Sequence, residues 1–167
     1  MSIFDGIKDA PMPNSGIYFR DGTYLVEVNA CRSGMSRKPG EGAYTVVEGT
    51  ILEVLVEYEG SNQVGERANW IVKMKHGETS LSNIKGFIAA GASSEAGEDI
   101  DPEIIDSEMA DTVFGNTEEA DEEAMAGVRM IAIANTVKTK KDNDFTKVVW
   151  LPDYADWRED SEDSEDE

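Results

Sequence analysis

The chain of 167 residues has one cysteine and one histidine. A lone thiol closes no intramolecular disulfide and fits a reducing compartment, and one Cys with one His makes no Cys/His metal cluster. No apolar run reaches the ~20 residues of a membrane-spanning helix. The opening "MSIFDGIKDAPMPNSG" lacks the basic start and long apolar stretch of a signal peptide. These absences predict a soluble protein of intracellular type, with no membrane contact. Catalytic signatures are missing as well, for there is no phosphate-binding GxxxxGK[ST] loop and no HExxH. His76 beside Gly77 reads as a turn residue, and Cys31, at the end of an apolar strand, reads as a small buried hydrophobe. Carboxylate runs such as "TEEADEE" read as solvated faces, because a catalytic acid needs a cleft and a perturbed environment. The expectation is no enzyme and no cofactor.

Positive charge is scarce too: 15 Lys/Arg face 35 Asp/Glu, for a formal net charge of −20. The imbalance is local. Residues 92–126 hold 13 Asp/Glu and no Lys/Arg, and residues 151–167 hold nine Asp/Glu against Arg158 alone. The remainder carries 14 basic and 13 acidic residues, a nearly neutral body with two acidic appendages. With 40% hydrophobic residues, the chain can bury a core of single-domain size.

Periodicity divides that body into elements. A lead-in up to Gly16 carries Ile3, Phe4 and Ile7 at helical spacing and closes on Pro11 and Pro13. "TYLVEVNAC" alternates as a strand, with Tyr24, Val26, Val28 and Ala30 on one face. After the loop "RSGMSRKPGEG", a long second strand, "AYTVVEGTILEVLVEY", has Gly49 at its middle as a bend or bulge. A third strand, "RANWIVKMK", puts Trp70, Val72 and Met74 on one face and Ile71, Lys73 and Lys75 on the other. The period then becomes helical. Leu81, Ile84 and Ile88 share a face, with Ser80 as N-cap and Gly91 as stop. Asp101-Pro102 opens a second helix through Ile105, Met109 and Val113, ended by Gly115. Asn116 with Glu119 caps a third, acidic one. Two strands follow, "VRMIAIANTV" and "FTKVVWL", and the closing "DWREDSEDSEDE" has too little to bury and reads as disordered.

Three strands, a helical insertion and a two-strand hairpin form the order used by the oligonucleotide/oligosaccharide-binding (OB) barrel, a five-stranded Greek-key barrel. The expected fold is therefore mainly β: an OB-fold domain over residues 1–152, with a helical acidic insertion at about 80–126 between strands three and four. Residues 153–167 form the acidic tail. Such barrels contact ligands through the loops between strands one and two and between strands four and five. Both loops here are basic: Arg32, Arg37 and Lys38 lie on the first, and Lys138, Lys140 and Lys141 on the second. Hairpin lysines also protect edges against strand addition, but two basic loops at the two ligand-contacting positions favour phosphates. Lys73, Lys75 and Lys147 lie on strand faces that alternate away from the predicted core. Among the aromatics, alternation assigns Trp70 and Trp150 to the core and Phe145, on the face of Lys147, to base stacking; Tyr44 is open between the two roles.

The chain also resembles the OB-fold single-stranded-DNA-binding proteins of tailed bacteriophages. The likeness covers most of residues 16–152 and rests on "GIYFRDGTYLVEV", "SRKPGEGAYTVVEGTILE", "VGERANWIVKMKHGETSLSNIKGFIAAG" and "GVRMIAIANTVKTKKDNDFTKVVWLP". It implies sequence-independent binding of single-stranded DNA in phage replication or recombination, in the cytoplasm of an infected bacterial host. The acidic tail is similar to tails through which such proteins recruit replication or recombination partners, and differs from many of them in ending "SEDE". A reading of a different class is an acidic interaction protein, or DNA mimic, that uses residues 92–126 to occupy the basic site of a DNA-processing partner.

Overall fold

The computed structural model describes residues 3–4, 17–36, 40, 42–114, 124–138 and 144–157, with the backbone alone at 138, 144 and 145. Five strands alternate in sequence with a helical segment: β1 (Gly22–Met35), β2 (Ala43–Glu57), β3 (Arg67–Lys73), α1 (Glu78–Ala96), α2 (Ser107–Val113), β4 (Arg129–Lys138) and β5 (Asp144–Pro152). The strands form one antiparallel sheet in the order β3-β2-β1-β4-β5.

Alternation sets the inner face of the sheet. Tyr24, Val26 and Val28 are fully buried, as their period-two spacing predicts. The register then skips between Val28 and Ala30, a bulge that reverses the alternation, so Cys31 and not Ala30 takes the next core position. Two further register shifts, between Thr23 and Tyr24 and between Leu25 and Val26, leave extra residues on β2. Each bulge adds twist, and the long β1–β2 pair coils as a result. Gly49 sits opposite Val28 in this region. A Cβ there would lie 2.3 Å from Val26 Cγ1 and 3.3 Å from the Glu27 carbonyl, so the strand has room only for glycine.

The sheet is not closed into a barrel: β3 and β5 are its two edges. The physical reason lies in what occupies the gap. Ile17 and Tyr18 run beside β3, where the Asn69 amide donates to the Ile17 carbonyl at 2.9 Å and Tyr18 bridges to Asn69. The two edges still meet through their inner side chains. Trp70 of β3 and Trp150 of β5 pack edge-to-face with ring centroids 5.6 Å apart, and Phe19 (5.5 Å) and Phe87 (5.1 Å) close on Trp150. Such pairs add about 0.5–1.5 kcal/mol each beyond the area they bury. Both tryptophans are core residues, as the alternation predicts.

A polar knot holds the chain entering β1. Asn62 is fully buried; its Oδ1 accepts from the Arg20 amide at 2.8 Å and its Nδ2 donates to the Tyr18 carbonyl at 3.2 Å. Tyr24 Oη donates to the Arg20 carbonyl at 2.7 Å and accepts from the Asn62 amide at 3.0 Å. The partners come from the β2–β3 turn, the residues before β1 and Tyr24 of β1 itself, so the knot fixes how that turn seats against the sheet.

Helix α1 packs on the inner face through Ser80, Ile84, Phe87, Ile88 and Gly91. Three expectations fail here. Leu81 is 60% exposed, and Ser80 is not the N-cap, which is Gly77. Instead Ser80 Oγ donates to the Lys73 carbonyl at 2.6 Å, which turns Ser80 inward and Leu81 outward in the first turn, while Ile84 and Ile88 are buried as expected. Gly91 is not a stop either. A Cβ on it would meet Met125 Cε at 2.0 Å, so it is a contact glycine inside a helix that ends at Gly97, with φ 73°. The segment expected to be helical from Asp101 is a 3-10 turn, Pro102–Ile104, and a separate α2, because Asp101 and Asp106 each cap a new start. The Gly115 stop and the third acidic helix at Asn116 and Glu119 lie outside the described residues, as does most of the tail. Residues 153–157 are described and return to α1: the Asp153 amide donates to Ser94 Oγ at 2.9 Å and Tyr154 Oη to Asp99 Oδ1 at 2.5 Å. Among the described residues no helix is long and apolar enough to cross a membrane.

Candidate nucleic-acid interface

The face of the sheet turned away from α1 carries the predicted binding residues that fall on strands. At neighbouring positions Cys31, Val47 and Trp70 point into the core, so alternation turns Arg32, Val46 and Ile71 outward, side by side across β1, β2 and β3. The next outward row is Gly34, Tyr44 and Lys73. Gly34 has no side chain to fill its place, and the Tyr44 ring lies against it: a Cβ at Gly34 would be 2.9 Å from Tyr44 Oη and 3.0 Å from Cζ. The result is an aromatic ring laid along the sheet, with Lys73 as its registered neighbour and Arg32 one row away. Directly paired side chains stand about 4.5–5.5 Å apart at Cβ. Arg32 and Lys73 are exposed, Val46 is buried, and Ile71 is 38% exposed between them.

Lys147 is on the same outer face at the opposite end of the sheet. It pairs with Asn135, one position beyond the Ala134–Gly22 pair that ends β1. The β1–β2 hairpin therefore leaves one end of the strands and the β4–β5 hairpin leaves the other. They leave the outer face at its two ends. Lys75, expected on the outer face of strand three, is in the exposed 3-10 turn Met74–His76, because β3 stops at Lys73. Arg37, Lys38, Lys140 and Lys141 lie outside the described residues. Lys138 and Phe145 are described by their backbone, which pairs with Asp144 and Val137 respectively; their side-chain roles lie outside the described residues.

Sequence reasoning passed over Arg129. It is on the outer face of β4 opposite Glu27, with Nε 3.8 Å from Glu27 Oε1, and remains 58% exposed. The alternation of "RMIAIA", with Met130, Ala132 and Ala134 fully buried, was the signal that could have found it. Arg67 is likewise outward, 3.8 Å from Glu48. Exposed pairs of this kind are worth about 0–1 kcal/mol, so both cations can be given up to a phosphate at little cost.

Other chemistry finds few groups to use. Cys31 is fully buried, and burial pushes its thiol up to about 12, so it is protonated and inert at neutral pH. His76 is exposed on its turn. Among the described residues no three His, Cys, Asp or Glu side chains group so as to hold a metal ion. A shallow recess of about 330 Å³ near the end of α1 is lined by Ser94, Glu95, Gly127, Arg129 and Asp153, and of the described outer-face cations only Arg129 touches it. No protein-family model matches this sequence, and no curated protein matches it at a significant level.

Proposed function

We propose that this protein binds single-stranded DNA without sequence preference and has no catalytic activity or cofactor of its own. The observation that carries the reading is the Tyr44 ring, laid on Gly34 beside Lys73 and near Arg32 on the sheet face turned away from α1. A flat aromatic accepts any base, because every base has a π-face, while the flanking cations take the phosphates. The strand order supports an OB relationship: β3-β2-β1-β4-β5 is the Greek-key order of that barrel opened between β3 and β5. The resemblance to phage single-strand binders supports a role in replication or recombination within an infected bacterial cell, with the acidic tail recruiting partner proteins.

A titration against single-stranded DNA, duplex DNA and RNA of equal length tests the reading. Single strands should be retained at low salt and released as salt rises. No retention of single-stranded DNA, together with tight binding to a DNA-processing enzyme, would replace it with the acidic-mimic reading. That alternative has one observation behind it: the Asp153–Ser94 and Tyr154–Asp99 hydrogen bonds bring the two acidic segments of the chain together.

A further inference from the structure

Besides Arg67, which lies on β3 level with Arg129, each strand contributes one outward cation or aromatic, in sheet order Lys73 on β3, Tyr44 on β2, Arg32 on β1, Arg129 on β4 and Lys147 on β5. Their heights along the strands are also ordered. Lys73 and Tyr44 are level with Gly34, Arg32 is two residues lower, Arg129 is level with Glu27, and Lys147 lies beyond Gly22. The five groups therefore descend a single diagonal from the β1–β2 hairpin end to the β4–β5 hairpin end. Of the outward acids beside it, Glu27 and Glu48 each have an arginine 3.8 Å away, which offsets their repulsion of a passing phosphate; Glu53, opposite Leu25, is a third and is exposed. Apolar Ile71 and Val149 stand partly exposed on the same face, offering unspecific contact to bases.

Building on the reading as a single-strand binder, we infer that the DNA runs diagonally over all five strands, with Arg129 as a phosphate contact at the middle of the track. The length follows from the register. From Gly34 to Gly22, β1 rises at most about 40 Å at ~3.3 Å per residue, and coiling at the bulges shortens that. At the ~3.4 Å rise of a stacked strand this is about a dozen nucleotides, and fewer if the strand is stretched. A strand of about four nucleotides spans ~14 Å when stacked and reaches only one end of the track.

The test is a series of oligothymidylates of about 4 to about 16 nucleotides, the range of site sizes on folds of this kind, titrated against the full chain and two variants. For the wild type, affinity should climb through the series and level off at or below about a dozen nucleotides. Arg129→Gln should weaken the longest oligomers several-fold and flatten their salt slope by about 0.7, one phosphate contact. It should leave the shortest oligomer, held at the Tyr44 end, unchanged. Lys85→Gln removes the same charge from α1, where Lys85 pairs with Glu103 at 3.5 Å, and should change nothing. Thermal melting checks that both variants fold, as expected for side chains 58% and 37% exposed. The diagonal track is overturned if the shortest oligomer binds as tightly as the longest, or if Arg129→Gln does no more than Lys85→Gln. Failure of every oligomer to bind overturns the single-strand reading itself, and the track with it.

Discussion

Gly34 and Tyr44 act as a pair, and their opposite chemistries predict opposite failures. Tyr44→Ala removes the ring and should cost about 1–3 kcal/mol of single-strand affinity, with the melting temperature nearly unchanged because the ring rests on the outer surface. Gly34→Val keeps the ring but places a branched side chain where a Cβ alone would be 2.9 Å from Tyr44 Oη; it should lift the ring and lose part of the same affinity. Fluorescence titration and thermal melting of both variants separate binding from stability. Trp70→Ala should do the reverse. It empties a site between Phe87 and Trp150 and should destabilise by about 3–5 kcal/mol, measured by denaturant unfolding. Cys31 gives a third residue-scale prediction. Fully buried and pushed up to about 12 from 9.0, its thiol should react with an aromatic disulfide reagent only as fast as the protein unfolds. Because the folded state holds this proton more tightly than the unfolded chain, stability should be unaffected below pH 9.0 and fall as pH rises from there towards 12. Rapid labelling of native protein at neutral pH would contradict the burial.

At the scale of elements, bulges and contact glycines decide what alternation alone leaves open. Strand one was legible up to Val28, since Tyr24, Val26 and Val28 keep strict period two. Past that point the reading put Ala30 inside, because a bulge costs no residue type that marks it; only the pairing with β2 reveals the skipped residue. Gly49 was legible as a special position and is one. Gly49→Ala should destabilise by about 1–3 kcal/mol as overpacking, since Val26 is β-branched, fully buried and stiff. Urea unfolding checks this, and a neutral result would mean that β2 has slack at the bend. For α1, the periodic stripe located the helix and placed Ile84 and Ile88 in the core, missing at Leu81. The hydrogen bond from Ser80 to the end of β3 turns Leu81 outward, and that bond joins elements whose proximity no local pattern encodes.

For the molecule as a whole, charge separation is the dominant feature. Basic groups line the outer sheet face, while the acidic stretch after α1 and residues 153–157 share the region at the end of α1. If about four cations meet phosphates, log affinity should fall with log salt at a slope near −3, from about −0.7 per contact on single strands. Neutralising Lys140 and Lys141 together should flatten that slope if the hairpin tip joins the site. Residues 158–167 carry seven Asp/Glu against Arg158. If the protein binds single-stranded DNA, a tethered run of this charge would compete with it in cis at high effective concentration. Truncation after Trp157, which keeps the hydrogen bonds of Asp153 and Tyr154, should raise single-strand affinity, and most at low salt, where screening is weakest. Equal affinity with and without these residues at low salt would leave them as a solubility device or a partner hook.

The sequence by itself determined the five strands, the helical segment between the third and fourth, the tryptophan core and the segregation of charge. All of these are local: periodicity, side-chain type and composition are properties of short windows. Tertiary structure decided the rest. The sheet stays open because Ile17 takes the Asn69 amide on the β3 edge, a contact between segments far apart in the chain. Tyr44 turned from an ambiguous aromatic into a surface ring because its registered neighbour is Gly34. Arg129 joined the outer row because β4 pairs with β1 and not with β3. Register and strand order arise from which segments pair, and pairing between distant segments is the information that a reading of windows lacks.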